Sequence, residues 1–321
     1  MSARQILVGL VTALLCAVGL FALPSGGAAA EGHVLTGYWQ NFTNDAKPMR
    51  LADVSDKYDI IAVAFADADA AKAGAVTFGV DPDLSEALGG YTDDQLIDDV
   101  KTAQGRGQKV ILSVGGQNGT ITVGDDAAAA NFASSVTSIM DEYGFDGVDI
   151  DLENGIDPDA MGSALHQIAD KAGSGTVITL APQTIDMQTP STGYFKLATT
   201  IKDILTSVHT QYYNSGSMNG CDGKVYSQGT VDFITAQACT ALQNGLDPAQ
   251  VGVGLPATNQ AAGSGYVEPA VAGDALDCLS SGTNCGSFTP PSKWDGVRNV
   301  MTWSINWDAQ NDYAFANAVK P

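Results

Sequence analysis

Residues 144–153 read GFDGVDIDLE and place Asp149, Asp151 and Glu153 at strict two-residue spacing among Val148, Ile150 and Leu152. A period of two is the pattern of a β-strand, whose successive side chains point to opposite faces. One face is then aliphatic and has to pack on another layer. The other carries three carboxylates spaced roughly 6–7 Å apart along the strand. Few folds accept both faces at once. Crowded carboxylates resist ionising together, so at least one should keep its proton. A protonated acid beside an ionised one is the pairing that glycosidic bond cleavage uses. The feature therefore points to an enzyme, and to one that acts on sugars.

The rest of the chain supplies a regular series of strand patterns: Leu35–Asn41, Ile60–Asp67, Val110–Gly115, Gly144–Glu153, Val177–Gln183, Ser207–Asn214, Val251–Pro256 and Val300–Trp307. Helical patterns fall between several of them, at Thr92–Arg106, Ala127–Tyr143, Pro158–Ala172, Val231–Asn244 and Ala309–Val319. Thr92, with Gln95 three places on, is a capping-box start. Strands alternating with helices imply parallel βα units, and eight of them at this length predict an α/β fold, a single-domain (β/α)8 TIM barrel. An open doubly wound sheet is the runner-up, but no G-x-G-x-x-G turn follows the first strand. The Gly/Ser-rich stretch Leu255–Pro291 reads as an elaborated loop. No tandem repeat, Pro-Thr linker or separate binding module is visible.

A barrel changes the meaning of the acidic strand. Barrel interiors are normally filled by Val, Ile and Leu. Here the aliphatic face is expected to pack outward on the helices, leaving Asp149, Asp151 and Glu153 pointing in. Glu153 falls last, at the carboxyl end, where barrel active sites lie. Asp146 has the opposite parity and faces elsewhere or precedes the regular strand. Two other readings fit less well. A solvated edge strand is at odds with Ile150, Leu152 and the parallel context, and a calcium loop would need Gly where Asn154 stands.

Bulk properties set the compartment. Met1 to Arg4 are weakly basic, Ile6 to Leu23 are almost wholly apolar, and Pro24-Ser25-Gly26 with Ala28-Ala29-Ala30 resembles a cleavage region. Residues 1–30 are read as a secretory signal and 31–321 as the catalytic domain, secreted and free of the membrane once cleaved. Outside the signal, Cys221, Cys239, Cys278 and Cys285 form an even set suited to an oxidising compartment. Three pairings are possible, and the two local ones, Cys221–Cys239 and Cys278–Cys285, are favoured. No Cys-x-x-Cys or nearby His suggests zinc. The formal charge of −21 argues against nucleic acid as a partner and suits a neutral substrate.

With these residues in view, the run DGVDIDLE at 146–153 resembles the D-x-x-D-x-D-x-E signature of glycoside hydrolase family 18, the chitinases and endo-β-N-acetylglucosaminidases. Ser113, Gly115 and Gly116 lie in SVGG, which resembles the family's S-x-G-G motif. Gln211, Tyr213 and Asn214 lie in QYYN, which resembles its sixth-strand motif. Trp303 resembles the tryptophan that floors its sugar site, and Tyr38-Trp39 lie in an opening strand like that of secreted actinobacterial members. The resemblance implies a retaining chitinase acting on chitin and chitooligosaccharides through a substrate-assisted route. Glu153 would be the general acid, Asp151 would orient the substrate's acetamido group, and Asp149 would share a proton with Asp151. Tyr213 would donate to the acetamido oxygen, aided by Asn214. Gln211, Trp303, Tyr38 and Trp39 are expected to contact substrate, as is Gln183 at the end of the fifth strand. Ser113, Gly115 and Gly116 are expected to make room for barrel closure. No metal or cofactor is expected, and the protein should be a monomer. An N-glycan-cleaving enzyme or an inactive chitin-binding lectin are the alternatives.

Overall fold

In the computed structural model, which describes residues 32–321, eight barrel strands run in chain order. They are β1 (Val34–Gln40), β2 (Ile60–Ala68), β3 (Lys109–Gly116), β4 (Gly147–Leu152), β5 (Val177–Leu180), β6 (Ser207–Gln211), β7 (Val251–Pro256) and β8 (Asn299–Trp303). Each pairs in parallel with its chain neighbours, and β8 pairs with β1, so the sheet closes on itself. Closure removes the sheet edges and produces the expected (β/α)8 barrel. The anticipated signal, residues 1–30, lies outside the described residues. No helix among the described residues is long and apolar enough to cross a membrane.

Alternation decides what each strand residue does. Val148, Ile150 and Leu152 are almost fully buried in the layer between barrel and helices. Each such burial is worth about 1.5–3 kcal/mol. The helix Asp126–Tyr143 meets that layer with Ala129, Phe132, Val136, Ile139, Met140 and Tyr143, a helical stripe of apolar side chains. Gly144 ends it in the left-handed conformation. The inner face has its own small cluster, which includes Tyr38, Ile60, Ala62, Ala64, Ile111 and Met301. The capping box at Thr92 and Gln95 forms as the sequence suggests.

The structure corrects three expectations. The eighth strand stops at Trp303 instead of running to Trp307, because Ser304 caps a helix, Ile305–Gln310, by accepting the Trp307 N–H. The single helix expected over 309–319 is two, since Asp312 and Tyr313 take positive φ before Ala314–Val319 begins. The buried Asp308 carboxylate pins that break, accepting the Phe315 and Ala316 N–H groups and the Tyr58 hydroxyl. The stretch 255–291 is not loop throughout: Ala270–Ser281 is helical, burying Ala272, Ala275, Leu276 and Leu279. A helix over Gly193–Thr200, which the sequence patterns did not suggest, lies between β5 and β6. Cys221 is joined to Cys239 and Cys278 to Cys285, the two local pairings.

Candidate active site

Register across three neighbouring strands builds the floor of the site. Ser113 on β3, Asp149 on β4 and Thr179 on β5 are direct partners. Their side chains point into the barrel and bond to one another. Ser113 Oγ donates to Asp149 Oδ2 at 2.7 Å and Thr179 Oγ1 donates to Asp149 Oδ1 at 2.6 Å. Tyr38 reaches across from β1 and adds a third hydroxyl, 2.8 Å from Oδ2. Burial raises the pKa of Asp149, while these three donors favour its anion.

One layer higher, Asp151 accepts from Gln211 Nε2 at 2.8 Å. Burial first, then the charges of Asp149 and Glu153, push its pKa well above the usual carboxylate range. Asp149 has three hydrogen-bond donors and Asp151 has one, so in a shared titration the anion belongs on Asp149 and the proton on Asp151. Glu153 follows the last strand residue and is only half-buried. Gln183 Nε2 donates to its Oε2 at 3.2 Å. Burial raises its pKa, the amides of Gln211 and Gln183 oppose the shift, and Asp186 adds to it.

Glu153 opens into a cavity of about 930 Å³ at the carboxyl end of the barrel, also lined by Asp151, Gln183, Gln211, Tyr213, Asn214 and Trp303. No Lys, Arg or His lines it among the described residues. With no cation to stabilise a carboxylate, burial and mutual repulsion dominate, and the acids hold protons at higher pH than usual. One wall is aromatic: Phe65 stacks on Trp303 with ring centres 5.8 Å apart, and Phe42 stacks beside both. The peptides preceding Phe65 and following Trp303, Ala64–Phe65 and Trp303–Ser304, are cis. The Tyr213 phenol lies on the cavity with its pKa raised by burial and then by Asp151 and Glu153, so it stays a hydrogen-bond donor. Asn214 sits at φ 51°, and its Oδ1 accepts the Ser264 N–H.

Of the residues singled out from sequence, Glu153, Asp151, Tyr213, Asn214, Gln211, Gln183 and Trp303 meet at this cavity, and Asp149 lies beneath it. Three fall differently. Trp39 is fully buried in the outer layer with its Nε1 donating to the Met49 carbonyl, because its parity is opposite to that of Tyr38. It does not line the cavity. Tyr38 is also buried, and its hydroxyl serves Asp149 instead of facing the opening. Ser113 is a hydrogen-bond donor and not merely a small residue that makes room. The two glycines do make room: a Cβ on Gly115, at φ +122°, would lie 2.3 Å from the Asp151 carbonyl oxygen, and one on Gly116 2.6 Å from the Phe65 ring. Asp146 precedes β4 at the far end of the barrel. Sequence reasoning missed Thr179, although its place among the aliphatics of VITL was a signal, and missed Phe42 and Phe65 as cavity walls.

Residues 34–318 match Glycosyl hydrolases family 18. The chain belongs to that family. Chitinase Chi52 of Paenibacillus xylanexedens is 36% identical over 325 residues, covering 89% of this chain and 61% of its own length. Exochitinase 1 of Streptomyces olivaceoviridis is 36% identical over 337 residues, covering 91% and 56%. The chain thus spans about six-tenths of the length of these two relatives. Among solved structures, a Streptomyces coelicolor protein provisionally named Chitinase A is 58% identical with a TM-score of 0.87, over 89% of this chain and 97% of that one. A family 18 chitinase from Chromobacterium violaceum is 32% identical with a TM-score of 0.80, over 92% and 85%.

Proposed function

We propose that the protein is a secreted, retaining chitinase that cleaves β-1,4 bonds of N-acetylglucosamine polymers and acts as a monomer. One observation carries the reading: Glu153 stands half-buried at the mouth of a cation-free cavity with Asp151 and Asp149 stacked behind it. Its raised pKa keeps a proton available above the ordinary glutamate range, which a general acid for a glycosidic oxygen needs. That proton passes to the leaving oxygen as the bond from the anomeric carbon breaks. The carbonyl oxygen of the substrate's own 2-acetamido group bonds to that carbon, giving an oxazolinium ion. Asp151 accepts a hydrogen bond from the acetamido N–H, and the Asp149 anion beneath it offsets the positive charge that develops. Tyr213 donates to the acetamido oxygen, with Asn214 beside it. Glu153, now a carboxylate, takes a proton from water as that water attacks the same carbon and reopens the ring. Two attacks on one centre retain its configuration.

Gln211 and Gln183 act first on the acids, since their amides already donate to Asp151 and Glu153. The stacked Phe42, Phe65 and Trp303 rings offer apolar surface for pyranose faces. The names of the relatives support chitin and chitooligosaccharides as substrates. The apolar start of the chain and two disulfides support secretion.

The test is incubation of the mature protein and of Glu153→Gln with N-acetylglucosamine hexamer and, separately, with an N-glycan. Release of dimers and trimers, lost in the variant, is expected. An intact hexamer would overturn the proposal. Glycan release in its place would indicate the chitobiose-cleaving activity, and binding without cleavage of either would indicate a lectin.

A further inference from the structure

The hydrogen-bond ladder between β4 and β5 is broken at the level of the acids. Its pattern runs regularly up to the rung from the Ala181 N–H to the Ile150 carbonyl. In a parallel pair the next rung would join the Leu152 N–H to the Ala181 carbonyl. It is absent, and two side chains take its place. The Leu152 N–H donates to the Tyr194 hydroxyl oxygen at 2.6 Å, and that hydroxyl donates to the Leu152 carbonyl at 3.1 Å. The Ala181 carbonyl instead accepts from Gln211 Nε2 at 2.9 Å, and the same amide nitrogen donates to Asp151 at 2.8 Å.

Tyr194 comes from the helix Gly193–Thr200 and is 2% exposed. Its phenol thus satisfies both backbone groups of the residue between Asp151 and Glu153, in a place water does not reach. We propose that Tyr194 is a positioning residue for the acid row, holding the Leu152 peptide groups so that Glu153 leaves the strand toward the cavity and Gln211 stays free for Asp151. The inference rests on the reading of Glu153 as the general acid. Without the hydroxyl, the Leu152 N–H has two outcomes. It stays unpaired in a dry interior, which is unfavourable, or it reclaims the Ala181 carbonyl and displaces Gln211 from Asp151. Both disturb the acids, and neither touches the aromatic wall of Phe42, Phe65 and Trp303.

The test is Tyr194→Phe, which keeps the ring and removes the hydroxyl's hydrogen bonds to the β4 backbone. Steady-state hydrolysis of chitooligosaccharide should show kcat about tenfold to a hundredfold lower, with KM within about twofold. The alkaline limb of the pH profile should move to higher pH as the Gln211 amide, which favours the Glu153 anion, is drawn away. Val136→Ala, in the helix layer on the outside of the barrel, controls for lost stability: it should lower Tm and leave kcat and the pH limb unchanged. The Glu153 carboxyl is also titrated by NMR without substrate, so the inference can be judged even if chitin is not cleaved. A higher Glu153 pKa in Tyr194→Phe supports it. An unchanged or lower Glu153 pKa, or an equal kcat loss in Val136→Ala, would overturn it.

Discussion

The two ends of β4 hold carboxylates in opposite ways. At the amino end, Asp146 is held by a cation and by backbone. Lys109 Nζ lies 2.8 Å from one oxygen, and Gln104 Nε2 and the Val110 N–H lie 2.9 Å from the other. At the carboxyl end, Asp149, Asp151 and Glu153 meet hydroxyls and amides, and no cation faces them among the described residues. The residue types are nearly the same, and the partner chemistry separates them. The Asp146–Lys109 pair ties the start of β4 to β3. Carboxylates served by neutral donors alone are free to exchange protons, as the proposed bond cleavage requires. This agrees with the general division of barrels into a stabilising face and a reactive one.

The sharpest break in the comparison comes from matched amides at the two ends. Glu153→Gln should lower kcat by about 10²–10⁴-fold, whereas Asp146→Asn should leave kcat within about twofold. Equal losses at both ends would dissolve the distinction. Next in size, Tyr213→Phe removes the donor proposed to meet the acetamido oxygen. Its kcat should fall about a hundredfold while the folded far-UV spectrum is unchanged.

Stability should respond in the reverse sense. Asp146→Asn weakens a network of charged hydrogen bonds and should cost about 1–3 kcal/mol in denaturant unfolding. Glu153→Gln should raise Tm at neutral pH. The folded pKa of Glu153 lies above its unfolded value, so the folded state binds the extra proton. The stability tied to that group is complete below the ordinary carboxylate range and is lost as pH rises through the folded pKa. The Tm gain of Glu153→Gln should therefore shrink as pH falls, and a gain that is constant from acid to neutral pH would contradict the assignment. The smallest effect is expected for Lys109→Met, about 0–1 kcal/mol, because the lysine side chain is half exposed.

Much of this contrast is legible in the chain itself. The two-residue spacing of Asp149, Asp151 and Glu153 identifies the inward face because Val148, Ile150 and Leu152 have to be covered by helices. The same alternation, applied to Tyr38 and Trp39, allows only one of them to point inward, and Trp39 is the one that does not. Phe65 escapes the rule for a physical reason. The β2–β3 register slips between Ala64 and Ala66, so the parity that holds for Ala62 and Ala64 no longer applies. The end of β8 was hidden because Trp303-Ser304-Ile305-Asn306-Trp307 has strand-like composition, while the Ser304 cap converts it to helix. Tyr194 left no mark, since its partners are backbone groups distant in sequence and no side-chain pattern encodes them.

The most direct measurement of the central claim is the anomeric configuration of the first products, followed by proton NMR while N-acetylglucosamine hexamer is cleaved. A nucleophile supplied by the substrate, with Glu153 acting as acid and then base, predicts that β-anomers appear first and only later mutarotate. Initial formation of α-anomers would mean a single direct attack by water, with no acetamido nucleophile for Asp151 and Tyr213 to orient.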